Sequence, residues 1–197
     1  MEGFNYKKAI QALNFFAINE GGNINKMKAI KLIWLSERAH LRQYGRPILM
    51  DTYYAMKLGP VPSKTKDLCE CDNTFLDDVE KEERNKYINP HHDNMNFESL
   101  NEVDESVFSK TDIEIMMDIY NNYGEYSEFE LSNNISHNFP EWKRWKEKLN
   151  KRERTRFNID YADFFENPDN DNYFNKISTE HLEISKSIFE ENCQEYS

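Results

Sequence analysis

The chain has 197 residues, 38% of them apolar and 14% aromatic, with a formal net charge of −11. This length suffices for one well-buried domain with an appended segment, and the aromatic content excludes a simple disordered chain. We expect no membrane span, because no run of about 18 apolar residues occurs. A cytoplasmic location is also expected, since no signal peptide pattern is seen and three cysteines suit a reducing compartment.

The net charge conceals an asymmetry along the chain. Residues 1–66 carry eleven Lys and Arg against four Asp and Glu, whereas residues 67–197 carry fourteen against thirty-two. Such a split predicts either two solvated faces that attract each other or separate cationic and anionic docking surfaces. We favour the first interpretation, because surface charges are ordinarily solvated.

Helical periodicity dominates the first third of the chain. A first helix is predicted over residues 5–19, ended by a pair of glycines. A central helix follows over residues 26–44, with Asn25 as its N-cap and Gly45 as the left-handed residue beyond its last turn. The polar residues of this central helix occupy unusual positions.

Two ionisable side chains, Glu37 and His40, fall on the apolar face of the central helix. Burying such groups without partners costs several kcal/mol, so each needs one nearby. The nearest candidates in sequence are Arg46 and Asp51, just beyond the helix end. We therefore predict a buried structural polar cluster that holds the following loop onto the helix. Its members are Glu37, Arg38, His40, Tyr44, Arg46 and Asp51.

Later segments carry weaker signals of the same kind. Further helices are predicted from capping boxes and apolar periodicity over residues 63–71, 109–123, 127–137, 141–151 and 179–193. Residues 86–88 and 95–97 are predicted to pair as a small hairpin. The expected fold is mainly α. It comprises a compact helical domain, residues 1–152, with that β-hairpin, and an acidic C-terminal helical extension, residues 153–197, packed on the domain.

One ordered set of motifs goes beyond periodicity. An acidic-Arg-x-His step is followed by Tyr-Gly-Arg-Pro, an Asp before a Tyr, and Gly-Pro-Val-Pro-Ser, all between Glu37 and Ser63. This series resembles the signature of the SocA-like antitoxin family, the Panacea domain, which includes phage-associated GepA-like proteins. Glu37 stands where Asp is commoner in the family. The resemblance covers roughly residues 5–145 and includes a weaker Leu-Ser…His…Trp element that ends at Trp142.

The resemblance implies an antitoxin that binds and neutralises a cognate protein toxin. A related role in this family is that of an adaptor, which presents the toxin to a protease. It implies the toxin as partner, with a protease or chaperone complex as a further one. No membrane partner is expected, and oligomerisation stays open. For the toxin-binding surface we expect cations on one flank of the central helix and acids of the irregular segment 72–105. The predicted contacts are Lys28, Lys31, Arg42, Asp77, Asp78 and Glu82.

Enzyme chemistry finds little support. Cys69 and Cys71 with a later His-His pair suggest a zinc site, but a one-residue gap and adjacent histidines fit a zinc knuckle poorly. Cys71, His40 and Asp51 suggest a nucleophile set, yet no oxyanion-hole signature accompanies them. We expect free thiols, a structural His40, no metal, no cofactor and no catalysis.

An alternative function rests on a basic stripe. Residues 143–156 hold eight Lys and Arg against two Glu, beside Trp142 and Trp145. Such a stripe can contact successive phosphates of a DNA backbone. The alternative function is therefore a mobile-element or phage-associated transcriptional regulator that contacts DNA through these residues. The tryptophans have core spacing, however, and the segment after residue 156 is acidic. These features favour a solvated helix face clamped by that segment, and we do not expect DNA binding by this chain alone.

Overall fold

The computed structural model describes residues 3–72, 74–169, 171 and 173–194, which are mainly α-helical. The α-helices are α1 (Tyr6–Asn19), α2 (Lys26–Tyr44), α3 (Ser63–Leu68), α4 (Asp78–Tyr87), α5 (Lys110–Tyr123), α6 (Glu128–Glu130), α7 (Pro140–Lys143), α8 (Lys146–Asn150) and α9 (Thr179–Gln194). Short 3-10 or π turns lie at Glu105–Val107, Leu131–Ile135, Ser136–Asn138, Tyr161–Phe165 and Phe174–Lys176. No helix in the described ranges is long and apolar enough to cross a membrane.

The β structure is more extensive than the single hairpin predicted from sequence. The strands are β1 (Asn23–Asn25), β2 (Tyr53–Met56), β3 (Gly59–Pro62), β4 (Ile88–Pro90), β5 (Asn96–Ser99) and β6 (Arg156–Asn158). They form two antiparallel sheets, in the orders β1-β5-β4 and β3-β2-β6. The predicted hairpin is present as β4 and β5, with Ile88 opposite Ser99. Strand β1 pairs with β5 and strand β6 with β2, each distant in sequence from its partner. Local periodicity does not reveal such long-range pairings.

Helix α2 has the ends that its capping residues predict. The side chain of Asn25 accepts hydrogen bonds from the backbone amides of Met27 and Lys28. Gly45 follows in the left-handed region at a φ of 66°. A Cβ at Gly45 would also lie only 2.5 Å from the carbonyl oxygen of Ser185 in α9. Glycine is therefore required there both by the turn and by the close approach of α9.

Helix α2 forms the buried centre of the fold. Every residue from 28 to 42 is buried, and α1, α5, α9 and β3 pack around it. A helix enclosed on all sides leaves no flank in solvent. The charged side chains of this helix must therefore find partners inside the protein.

The acidic C-terminal segment supplies part of that enclosure. Strand β6 pairs with β2, while the Tyr161–Phe165 turn and α9 pack on α2. Arg144, in the basic stripe, forms ion pairs with Asp163 at 2.7 Å and with Glu166 at 2.9 Å. Acidic residues after position 156 thus lie against one end of the basic stripe, as the predicted clamp of that stripe requires.

Candidate functional site

Glu37 is a fully buried carboxylate held by backbone amides. Its Oε2 accepts hydrogen bonds from the amides of Ile48 at 2.7 Å and Leu49 at 2.9 Å. Its Oε1 accepts from the amide of Met50 and the hydroxyl of Tyr161, both at 2.9 Å. Burial raises the pKa of Glu37, and these four donors oppose that rise. With four donors already bound, Glu37 fixes the loop after α2 and is not available to a ligand.

Arg46 pairs with Asp112 of α5 rather than with Glu37. Asp112 Oδ1 lies 3.2 Å from Arg46 Nη2 and 3.1 Å from His40 Nε2, and Lys8 Nζ lies 2.8 Å from Oδ2. Burial raises the pKa of Asp112, but the His40 and Lys8 contacts outweigh it and hold that pKa far below its usual range. The other ring nitrogen of His40, Nδ1, donates to the carbonyl oxygen of Arg46 at 2.8 Å. His40 is accordingly placed as a structural residue.

Asp51 caps the start of α3. Its carboxylate accepts from the amides of Lys64 at 3.0 Å and Thr65 at 2.7 Å, and from the Thr65 hydroxyl at 2.6 Å. Tyr44 is about one-third exposed and packs against the His40 ring at a centroid distance of 4.7 Å. The residues predicted to form one cluster thus fall into separate networks. Glu37 and Asp51 are joined by the Tyr161 hydroxyl, which lies 2.9 Å from Glu37 Oε1 and from the Asp51 carbonyl oxygen, whereas His40 and Arg46 share Asp112. The prediction considered only partners nearby in sequence. The actual partners of these side chains are backbone amides and residues of α5.

Arg38 belongs to a third network, on the opposite side of α2. Its Nε donates to Glu141 Oε1 at 3.0 Å, and both side chains are fully buried. The guanidinium also lies 4.7 Å from the ring centroid of Phe139 and 4.8 Å from that of Phe174. Desolvation lowers the pKa of Arg38 and raises that of Glu141. The attraction between the two charges opposes both shifts. Glu141 carried no signal in the sequence that marked it as this partner.

Two of the cations predicted to contact a toxin are committed to internal bonds. Lys28 is buried and pairs with Glu20. Arg42 is fully buried, and its guanidinium donates to several carbonyl oxygens of the C-terminal segment, including that of Phe165 at 2.7 Å. The prediction of an exposed cationic flank is therefore wrong, because the C-terminal segment and the neighbouring helices cover it.

Lys31 is the exception among these cations, because its bonding is sparse. It is 1% exposed, and its ammonium donates to the carbonyl oxygen of Pro60 at 2.7 Å. No carboxylate of the described chain lies within ion-pair distance of Lys31 Nζ. Burial lowers the pKa of Lys31 to about 7. A buried amine with so little compensation is a cost to the fold.

A groove of about 300 Å³ lies beside Lys31, between the start of α2 and the β2–β3 hairpin. The surface that it exposes is almost wholly carbon. Its apolar lining residues are Met27, Ile30, Met56, Leu58 and Val61, and its lysines are Lys26, Lys31, Lys57 and Lys66. We refer to it as the lysine groove.

The acidic residues predicted to contact a toxin lie on the surface. Asp77, Asp78 and Glu82 are exposed at the start of α4, where Asp77 forms the capping box of the helix. Two apolar side chains stand among them, Phe75 at 71% exposure and Val79 at 63%. We call residues 75–82 the acidic patch. It combines exposed apolar side chains with negative charge.

Cys69 and Cys71 are not joined by a disulfide in this structure. Cys69 is buried, and burial raises the pKa of its thiol to about 12. Cys71 Sγ lies 2.9 Å from the carbonyl oxygen of His91. Among the described residues, no three His, Cys, Asp or Glu side chains are grouped so that they could hold a metal ion.

Replacing Lys31 with Met should stabilise the protein by roughly 2 kcal/mol at pH 6, because the variant buries a thioether in place of an ammonium. With a pKa of about 7 in the folded state, against 10.5 unfolded, the amine is charged in both states below pH 7. As pH rises above 7, only the unfolded state keeps the proton, so wild-type stability increases. The advantage of the variant should therefore shrink by about 1 kcal/mol per pH unit above pH 7 and be lost by about pH 9.

Urea denaturation of both proteins at pH 6, 7.5 and 9 measures this difference directly. Burial and the charge of Lys31 lower the pKa of His137 to about 4, so in the wild type this ring stays neutral throughout. A variant less stable than wild type at pH 6 would show that the Lys31 ammonium is well compensated.

Comparison with known families adds one finding. The family model described as antitoxin SocA-like, Panacea domain, matches residues 30–143. No curated protein and no solved structure shows a significant match to the chain. The matched span contains Glu37, the β2–β3 hairpin, Asp112 and Glu141. The networks around α2 thus lie mostly within the part of the chain that the family shares.

Proposed function

Because the chain belongs to the SocA-like, Panacea-domain antitoxin family, we propose that it is an antitoxin that binds and neutralises a cognate protein toxin. The match over residues 30–143 carries this proposal. Glu37, Arg38 and His40 are consistent with a binding role, since each of these buried side chains is bonded to other parts of the fold. In this proposal the chain performs no catalysis and acts in the cytoplasm, a location that the reduced Cys69 and Cys71 favour.

The acidic patch is the first part of the proposed toxin-binding surface. Exposed aromatic and aliphatic side chains within a polar rim are typical of the centre of a protein interface. Phe75 and Val79 would supply that centre, with Asp77, Asp78 and Glu82 as the rim. A stable complex buries about 800 Å² on each partner, so further contacts beyond one short helix are needed. Presentation of the bound toxin to a protease or chaperone complex is a second form of the same function.

The DNA-binding alternative has less support. Lys143 pairs with Asp169, and Arg144 pairs with Asp163 and Glu166. Three carboxylates thus neutralise one end of the basic stripe, which weakens its attraction for phosphates.

Growth of a bacterial host tests the proposal. The protein encoded beside this chain's gene, expressed alone, should stop growth, and co-expression of this chain should restore it. The charge-reversal variant Asp77→Lys, Asp78→Lys, Glu82→Lys should restore growth poorly while staying folded, with a melting temperature lowered only by the loss of the Asp77 cap of α4.

A matched control reverses three exposed acids on α9, at Glu183, Glu190 and Glu191. This variant changes the net charge equally and should restore growth as well as wild type does. A harmless neighbour, or one that this chain fails to neutralise, would refute the antitoxin proposal. Full rescue by the acidic-patch variant would refute only the assigned surface.

A further inference from the structure

The lysine groove contains a charge that the fold does not use. The other buried cations of α2 have ample partners: Arg38 has Glu141, Lys28 has Glu20, and Arg42 has several carbonyl oxygens. Lys31 bonds to one carbonyl oxygen. Groups that weaken a fold without an internal reason are commonly retained for binding or catalysis. The sparse bonding of Lys31 therefore points to an external partner.

The charges around the groove also indicate the sign of that partner. Glu70 is shared by Lys26 at 3.3 Å and Lys66 at 2.6 Å. Lys57 is exposed at the tip of the β2–β3 hairpin and has no ion pair with the described residues. Lys31 and Lys57 are thus the two uncompensated cations beside an apolar trough. An aliphatic group next to a carboxylate would match both features.

The dimensions of the groove favour a protein segment over a small lipid. Its volume, about 300 Å³, is at the lower end of the range of about 300–1,000 Å³ for ligand pockets. It suits one or two side chains better than a long acyl chain. Leu58 at the hairpin tip is 46% exposed beside it and would extend the contact outward.

The groove is also a neighbour of the acidic patch. Arg84, on the last turns of α4, donates to the carbonyl oxygen of Glu70 at 3.0 Å. The side chain of Glu70 in turn contacts Lys26 and Lys66 in the groove. One partner of ordinary size could therefore contact both surfaces.

We propose that the lysine groove receives a segment of the partner protein in which an aliphatic side chain enters the trough and a neighbouring Asp or Glu pairs with Lys31 and Lys57. This inference rests on the proposed function in that the partner is the toxin. Binding supplies the carboxylate that the buried ammonium lacks, so the pair forms in a site largely closed to water. Electrostatic attraction is strong in such a site.

The test measures binding of the purified product of the adjacent gene to four forms of the full chain. Lys31→Met should raise Kd by about thirtyfold or more, since it removes one partner of a buried ion pair. The same variant should melt no lower than wild type. Lys57→Glu, an exposed change that spares the core, should weaken binding in the same direction. Lys110→Met removes a fully exposed lysine of α5 and should leave Kd unchanged.

The outcomes separate this inference from the proposed function. If wild type and both groove variants bind the toxin equally, the groove inference is wrong and the antitoxin function stands. If the toxin does not bind wild type at all, the proposed function fails, and the assigned occupant fails with it. A titration of the chain with decanoate tests whether a small amphiphile occupies the groove instead. Lys31→Met could abolish saturable decanoate binding and yet leave toxin binding unchanged. That result would make a small amphiphile the occupant of the groove and overturn the proposal.

Discussion

Replacing Arg38 with Met is expected to cost about 3–5 kcal/mol of folding free energy, the usual effect of removing one partner from a buried ion pair. Arg38 and Glu141 are both fully buried, and Nε and Oε1 lie 3.0 Å apart. Without Arg38, the Glu141 carboxylate would stay in the interior without its bonded cation, and its pKa, already raised by burial, would rise further. In this variant stability should fall as the pH rises above the pKa of an unfolded glutamate, because the folded state holds a proton that the unfolded state has lost.

A double-mutant cycle by urea denaturation tests this account of Arg38. Adding Glu141→Gln to Arg38→Met should recover much of the lost stability, since the buried negative charge is removed. The single Glu141→Gln variant completes the cycle. A loss below about 1 kcal/mol in Arg38→Met, or a double variant no better than the single one, would contradict an essential buried pair.

Replacing Arg42 with Met should cost on the order of 3 kcal/mol, because bonds from a charged donor to buried carbonyl oxygens are among the stronger hydrogen bonds in proteins. Arg42 Nη1 donates to the carbonyl oxygens of Phe164 at 3.0 Å and Phe165 at 2.7 Å. Its Nη2 donates to the side chain of Asn167 at 2.6 Å and to the carbonyl oxygen of Phe174 at 3.1 Å. The variant should therefore loosen the C-terminal segment before it unfolds the rest.

Amide hydrogen exchange can separate local from global loss for Arg42. Exchange should accelerate most in the 3-10 turn at Tyr161–Phe165 and around Phe174, and least in α1. Arg42→Lys is the matched control. It keeps the charge but lacks the planar fork, so it should recover only part of the stability. Unchanged exchange at Phe165 and Phe174 would show that Arg42 does not hold this segment.

The main helix and the family could be predicted from sequence because their signals are local. Asn25 and Gly45 fix the ends of α2, and the motifs from Glu37 to Ser63 indicate the family whose model matches residues 30–143. Capping boxes at Ser109 and Ser127 likewise mark the starts of α5 and α6. Such signals depend on residues within one or two turns, so they do not require knowledge of tertiary contacts.

The partners of the polar residues could not be predicted, because they are far away in sequence. Arg38 bonds to Glu141, 103 positions later, and Arg42 bonds to Phe164, 122 positions later. A helical wheel places any cationic stripe in solvent unless another segment covers it. For α2 the covering segment is the acidic C-terminal one. The boundary predicted at residue 152 stays a prediction.

The same limit applies to the candidate site. Lys31 looks like one more surface lysine in the sequence, and only the fold shows that it is buried beside an apolar groove. Asp112 could be recognised as the end of a capping box, but not as the partner of Arg46 and His40. In contrast, the predicted acidic contacts Asp77, Asp78 and Glu82 are exposed, as the sequence led us to expect.

Calorimetric titration of the purified chain into the purified product of the adjacent gene tests the central claim most directly. Direct neutralisation predicts a saturable complex of fixed stoichiometry with Kd below about 1 μM, together with loss of the toxin's activity at the same molar ratio. A toxin that remains active and gives no binding heat, although this chain still rescues growth, would contradict neutralisation by direct binding.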